Sequence, residues 1–228
     1  MARDLPIFPL PVVLFPGATQ PLHVFEPRYR ELLADCLAAD QRFGITYVAP
    51  PEGPDVDPMP PLGAVGCIAL ITATDALPDG RSDIVTVGEQ RFTLLDWVAR
   101  ETTYRVARVE EFDDEPADRA EVAGLAGDVR QDYQRLARAI GTLTDRAADD
   151  AALDEDPEQF SFQVAAALEL DGEVKQALLA LTNTITRLRR LASLLVPLSA
   201  DAERRAAVRE RARGNGRGGK HPQIERAS

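Results

Sequence analysis

At 228 residues, with 45% hydrophobic and 28% charged residues, the chain has the makeup of a globular protein with a real core to bury. Its net charge of −11 is unevenly spread: residues 201–228 hold eight Arg or Lys against four Asp or Glu, which leaves 18 against 33, or −15, on the first 200. So acidic a body repels phosphate backbones, and no apolar run approaches the roughly 18–20 residues of a membrane span, which disfavours general nucleic-acid binding and membrane crossing.

In chain order, the first informative stretch is residues 5–29, LPIFPLPVVLFPGATQPLHVFEPRY. Residues 12–15 and 22–25 are rich in the β-branched and aromatic side chains that suit strands. Between them Pro16-Gly17 is a turn signal, because proline presets φ and glycine accepts a positive one. Pro27 sits where a first helical turn tolerates a missing N–H. Tyr29, Leu32, Leu33, Cys36 and Leu37 then follow at helical spacing, which predicts a helix near 28–39. Residues 43–49 read as a strand. Residues 50–61, PPEGPDVDPMPP, carry six prolines and read as a long exposed loop. Strands are expected again at 63–74, 84–87, 91–98 and 104–110, with a turn at Leu77-Pro78-Asp79-Gly80. Six or so short strands indicate a small mixed barrel over residues 1–112.

Composition shifts at Asp113–Pro116, and the apolar period changes from two to about 3.6. Val122, Leu125, Val129, Tyr133, Leu136, Ile140 and Leu143 predict a long helix to about residue 146, followed by an acidic loop at 149–156. Asp156 is placed to cap a helix that has Pro157 in its first turn. Further helices are expected from Val174 and from Ile185, with a break at Thr182-Asn183-Thr184 and an end at Pro197. The class is therefore α+β: a barrel over 1–112, a helical bundle over 117–198, and a flexible basic tail over 199–228.

Residues that carry chemistry are few. Cys36 and Cys67 read as buried, reduced thiols without zinc spacing, which suits a cytoplasmic protein. Gly214–Lys220 matches G-x-x-x-x-G-K, but His221 stands where a magnesium-binding hydroxyl is required. The two lysines, Lys175 and Lys220, offer no desolvated amine to activate a serine. His23, on a strand between Leu22 and Val24, reads as structural. Glu26 can pair with Arg28 or with Arg91 to lock the corner where the first helix starts. Tyr47 and Met59 are the candidates for peptide contact: an amphipathic anchor and an adaptable apolar side chain beside the proline-rich loop. No catalytic residue, metal site or cofactor is expected.

The run FPLPVVLFPG…PLHVFEPRY, together with GAVGCIALI at 63–71 and VGEQRFTLL at 87–95, closely resembles the amino-terminal domain of Lon-type ATP-dependent proteases over residues 5–198. Its structural signature falls here on Pro16, Gly17, Glu26, Pro27, Arg28, Tyr29 and Arg91. The resemblance implies a PUA-like β-barrel followed by a helical bundle, a stand-alone form without ATPase or peptidase, and a part in recognising unfolded or partly folded polypeptide. It also implies a separate Lon-type protease as a partner. RNA binding is the alternative, since PUA-like barrels occur in RNA-associated proteins and the basic tail carries Arg-Gly spacing.

Overall fold

The computed structural model describes residues 2–50, 59–144 and 153–216. Six strands come first, interrupted by one helix: β1 Ala2–Leu10, β2 Thr19–Val24, α1 Pro27–Ala38, β3 Arg42–Tyr47, β4 Val65–Ala76, β5 Ser82–Val98 and β6 Arg105–Phe112. Four helices follow: α2 Arg119–Thr144, α3 Pro157–Ala167, α4 Gly172–Ala180 and α5 Thr184–Gly216. The strands form one mixed sheet in the order β2-β5-β4-β3-β1-β6, and β6 turns back to pair with β5. Five strands thereby close on themselves, with β2 added outside. Only the β1–β3 pair is parallel. Closure depends on the length of β5: its residues 82–87 hold β2, and its residues 91–98 hold β6.

Alternation along the strands sorts side chains to two faces. Leu5, Ile7, Ile68, Phe92, Leu94, Ala107 and Val109 form an apolar interior cluster whose members, among the described residues, all lie on strands. The opposite face gathers Phe8, Phe43, Ile45, Ala69 and Ile71 and is covered by Tyr29, Leu32, Leu33 and Cys36 of α1. The Tyr29 ring stacks on Phe8 with centroids 4.0 Å apart. A third cluster joins α2, α3, α4 and α5, and Phe15 reaches into it from the barrel side.

Three expectations of secondary structure change. Residues 12–15 are not a strand; the first strand is β1, whose residues 2–7 pair with β6 and 7–10 with β3. Bracketed by Pro11 and Pro16, residues 12–15 instead plug the junction, Leu14 entering the α1 cluster and Phe15 the bundle. The strands expected at 84–87 and 91–98 are one strand, because Gly88 stays paired with Ala69 across the gap. Lastly, α5 does not end at Pro197 but runs through it to Gly216, so residues 199–216 are helix where a flexible tail was expected. An interior proline costs about 3 kcal/mol. Beyond Pro197 the helix stays packed on α2: Ala202 and Ala206 are buried, and Arg135 Nε and Nη2 of α2 each donate to the Glu203 carboxylate at 3.0 Å, so tertiary contact overrides the local stop signal. Residues 51–58 of the expected loop, 149–152 of the acidic loop and 217–220 of the glycine-rich match lie outside the described residues.

The α3 start follows the expected chemistry: the Asp156 carboxylate accepts from the backbone N–H of Glu158 and of Gln159, each at 3.0 Å. Its end is held by Lys175, whose Nζ donates to the carbonyl of Ala166 at 2.9 Å. Lys175 was expected on a solvated face; burial lowers its pKa, and it caps a helix C-terminus instead. Lys175→Ala should therefore lower thermal stability by about 1 kcal/mol in a melting measurement. Among the described residues no helix is long and apolar enough to cross a membrane.

Candidate functional site

The most heavily invested polar site lies between barrel and bundle. Arg91 of β5 and Arg187 of α5 are 2% and 0% exposed, and the side chain of Asp114, between β6 and α2, is 3% exposed. Arg187 Nη2 donates to Asp114 Oδ2 at 2.5 Å, Arg91 Nη2 donates to Asp114 Oδ1, and the Thr184 hydroxyl also donates to the same carboxylate. Further guanidinium donors are used as well. Arg91 Nη1 donates to the carbonyls of Leu179 and Leu181 at 3.0 and 2.6 Å, which caps the end of α4 from the barrel. Arg187 Nη1 reaches Leu181 O at 2.8 Å, and its Nε reaches Ser161 Oγ at 2.7 Å. Both guanidiniums also lie over the Phe162 ring, 3.9 Å and 5.0 Å from its centroid. Burial pushes the Asp114 carboxyl up, but hydrogen bonds from Arg187 and Thr184 and the two positive charges outweigh it and hold it below its ordinary value. Those donors end on the protein's own acceptors. This is a joint between barrel and bundle, with the Glu158 carboxyl, raised by burial, beside it.

The residues singled out in the sequence fall into three places. Pro16 and Gly17 form the turn after Phe15, with Gly17 at φ 74° and Ala18 N–H donating to Phe15 O at 3.0 Å. Glu26, Pro27, Arg28 and Tyr29 make the start of α1. Pro27 is in the first turn, Arg28 Nε donates to Glu26 Oε2 at 3.0 Å, and the Arg28 guanidinium lies 4.6 Å from the Tyr29 ring centroid. Glu26 therefore has Arg28 as its partner, while Arg91 belongs to the joint with Asp114 rather than to the α1 corner. Tyr47 closes β3 with its ring against Gly172, where a Cβ would stand 2.4 Å from Tyr47 Cε2. That places it under the first turn of α4, while Met59 is 49% exposed.

Asp114 and Arg187 were not singled out in the sequence. Asp114 sits in DDEP, which reads as a boundary, and Arg187 in TRLRRL, which reads as a polar helix face. A signal was present: Thr184, Arg187, Leu188 and Leu191 are spaced i, i+3, i+4 and i+7, so two polar residues open a stripe that is otherwise buried leucine.

The surface offers other features. Leu62 and Leu95 are 59% and 40% exposed. Gly63 N–H donates to Leu94 O at 2.7 Å and Leu94 N–H to Ala64 O at 2.9 Å, so these two leucines belong to neighbouring backbone segments, with Met59 three residues before the first. Leu95 stands where the β5–β6 register slips, a bulge that turns a side chain out of the ladder. His23 is exposed and its Nδ1 lies 2.6 Å from Asp83 Oδ1, with Phe25 stacked beside it. Cys36 and Cys67 are free and buried, and burial pushes the Cys36 thiol up to about 12, leaving it protonated and inert.

The family described as ATP-dependent protease La (LON) substrate-binding domain matches residues 4–196. Among curated relatives, the Lon protease of Roseiflexus castenholzii is 33% identical over 84% of this chain, and Lon protease 2 of Herpetosiphon aurantiacus 30% identical over 84%. The match spans only 24% and 23% of their lengths. A solved Lon N-terminal domain protein from Xanthomonas campestris superposes with a TM-score of 0.59 at 27% identity, over 84% of this chain and 98% of its own. The N-terminal domain of Mycobacterium avium complex Lon protease shares the fold at the same TM-score and 18% identity, over 87% and 99% of the two chains. The region shared with these relatives is the substrate-binding one, and the chain belongs to the Lon substrate-binding domain family.

Proposed function

We propose that this chain recognises extended or partly unfolded polypeptide without a chemical step of its own, and holds it or passes it to a separate Lon-type protease in the cytoplasm. The observation that carries this reading is the apolar surface of Met59, Leu62 and Leu95 on a domain of a substrate-binding family. Non-native chains expose apolar side chains that folded ones hide, so an outward apolar patch at a sheet bulge discriminates between them. RNA binding is weaker as a reading, because the first 200 residues carry −15.

The test is capture of permanently unfolded casein by the immobilised chain. Leu62→Ser with Leu95→Ser should weaken capture about tenfold, as expected for two side chains near the centre of an apolar contact. Melting should move by no more than about 2 °C, because both residues already face water. Unchanged capture would place recognition elsewhere. Tyr47→Ser is the control: it removes a ring packed on Gly172 and should lower melting clearly, whereas Met59→Ser should not. The same preparation should show no ATP turnover and no casein cleavage.

A further inference from the structure

The far end of the β4–β5 hairpin is sheet that the barrel does not use. β3 pairs with β4 only as far as Leu70, whereas β5 stays paired with β4 to Ala76. Among the described residues, 72–76 thus have a strand on one side only, and all five are exposed. Their side chains are small (Thr, Ala, Thr, Asp, Ala) and shield little backbone. The opposite edge of this three-stranded ribbon, β2, differs. Pro21 lies in it, and the Gln20 side chain donates to the Pro21 carbonyl at 3.0 Å. Proline and occupied carbonyls blunt an edge. Of the ribbon's two edges, the β4 edge is the one that the described residues leave open to a strand.

Cross-strand rows on the ribbon alternate between its faces. The row Leu22–Ile84–Thr74 turns inward, since Ile84 is 2% exposed within the α1 cluster. The rows Pro21–Val85–Ala73 and His23–Asp83–Asp75 therefore turn outward. These residues line a groove of about 480 Å³. Asp75 stands directly opposite Asp83, an arrangement that destabilises a sheet. His23 answers Asp83, but Asp75 has no hydrogen bond or ion pair among the described residues.

We propose that β4 residues 72–76 accept an extended polypeptide as an added strand, with Lys or Arg opposite Asp75 and an apolar side chain opposite Ala73, lying towards Val85. The proposal rests on the reading that this chain takes extended polypeptide, and it concerns a surface separate from Leu62 and Leu95. Backbone hydrogen bonds to a free edge make no demand on sequence. The charge does: the carboxylate that destabilises the empty sheet favours a cation in the added strand, and the apolar row beside it favours Val or Ile two positions away.

Three fluorescein-labelled peptides test this by anisotropy: Thr-Val-Thr-Lys-Thr-Val-Thr, and the same with norleucine or Glu in place of Lys. The Lys peptide should bind about fivefold more tightly than the Glu peptide at low salt, with norleucine between them, and 0.5 M NaCl should compress the series. Asp75→Asn should remove the preference and Asp75→Lys should invert it. N-methylation of alternate peptide residues should abolish binding if the methyls face β4. Equal binding of all three peptides, or binding indifferent to N-methylation on either register, overturns this inference while casein capture leaves the broader reading standing. Loss of both peptide and casein binding overturns the two together.

Discussion

Asp114→Asn will lower the melting temperature by roughly 10 °C at pH 7. Asparagine keeps the shape of the side chain but removes the carboxylate to which both Arg91 and Arg187 are ion-paired in the barrel–bundle joint, leaving only the nearby charge of Glu158. Breaking a buried pair by removing one partner costs about 3–5 kcal/mol, because the surviving charge is left uncompensated in a dry site. In a chain of this length each kcal/mol moves melting by about 2–4 °C. Here one carboxylate serves two cations, which argues for the upper part of that range. A shift under 2 °C would show that barrel and bundle do not depend on this joint.

Asp114 also contributes to the acid response, with a definite sign of its own, opposite to that of Glu158, which burial raises. The Asp114 carboxyl lies below its ordinary value when folded, so its contribution is fully present above the unfolded value of about 3.9 and is lost as pH falls through the folded one. Melting curves should therefore steepen in their pH dependence below about pH 4, and Asp114→Asn should flatten that limb. Replacing Arg91, Asp114 and Arg187 together by Met, Leu and Met separates charge from hydrogen bonding. Apolar replacement of a buried ion cluster is often neutral or stabilising. These arginines also satisfy the carbonyls of Leu179 and Leu181, which the replacements would leave without those donors. The triple variant should recover part of the loss and remain below the native chain.

How legible this was depends on the range of the interactions. The α1 and α3 starts were readable because Pro27, Asp156 and Pro157 act within one turn of themselves. The class was readable because the apolar period changes at Pro116. The second half of α5 was not, since Pro197 is a local stop signal and what overrides it is contact with α2, far away in sequence. The joint was harder still. Arg91, Asp114 and Arg187 are brought together by closure of the barrel onto the bundle, and no local pattern pairs them. The proposed recognition surface was the least readable: Met59 stands out in its loop, but Leu95 faces out only because the β5–β6 register slips there.

One chemical change, Gly to Ala, should have opposite signs at two positions in this fold. A Cβ at Gly88 would lie 2.1 Å from the carbonyl oxygen of Phe15 and 2.9 Å from its carbonyl carbon, both backbone atoms. That oxygen cannot swing aside, because it accepts from Ala18 N–H in the Pro16-Gly17 turn. The turn itself is tied to Gly88 by Gly17 N–H to Gly88 O at 2.8 Å and Gly88 N–H to Ala18 O at 2.9 Å. Relief must therefore break those bonds or withdraw Phe15, which is fully buried in the bundle core. Gly88→Ala should cost about 3 kcal/mol or more, the scale of a disrupted core contact. At Gly124, exposed within α2, a Cβ meets nothing within 4 Å. There alanine gains only its better helix propensity, about 0.5–1 kcal/mol in favour of the folded chain. Chemical denaturation of the two variants side by side decides the matter. If Gly88→Ala is as harmless as Gly124→Ala, the 10–18 crossing is not the tight seam on which the barrel and bundle are joined.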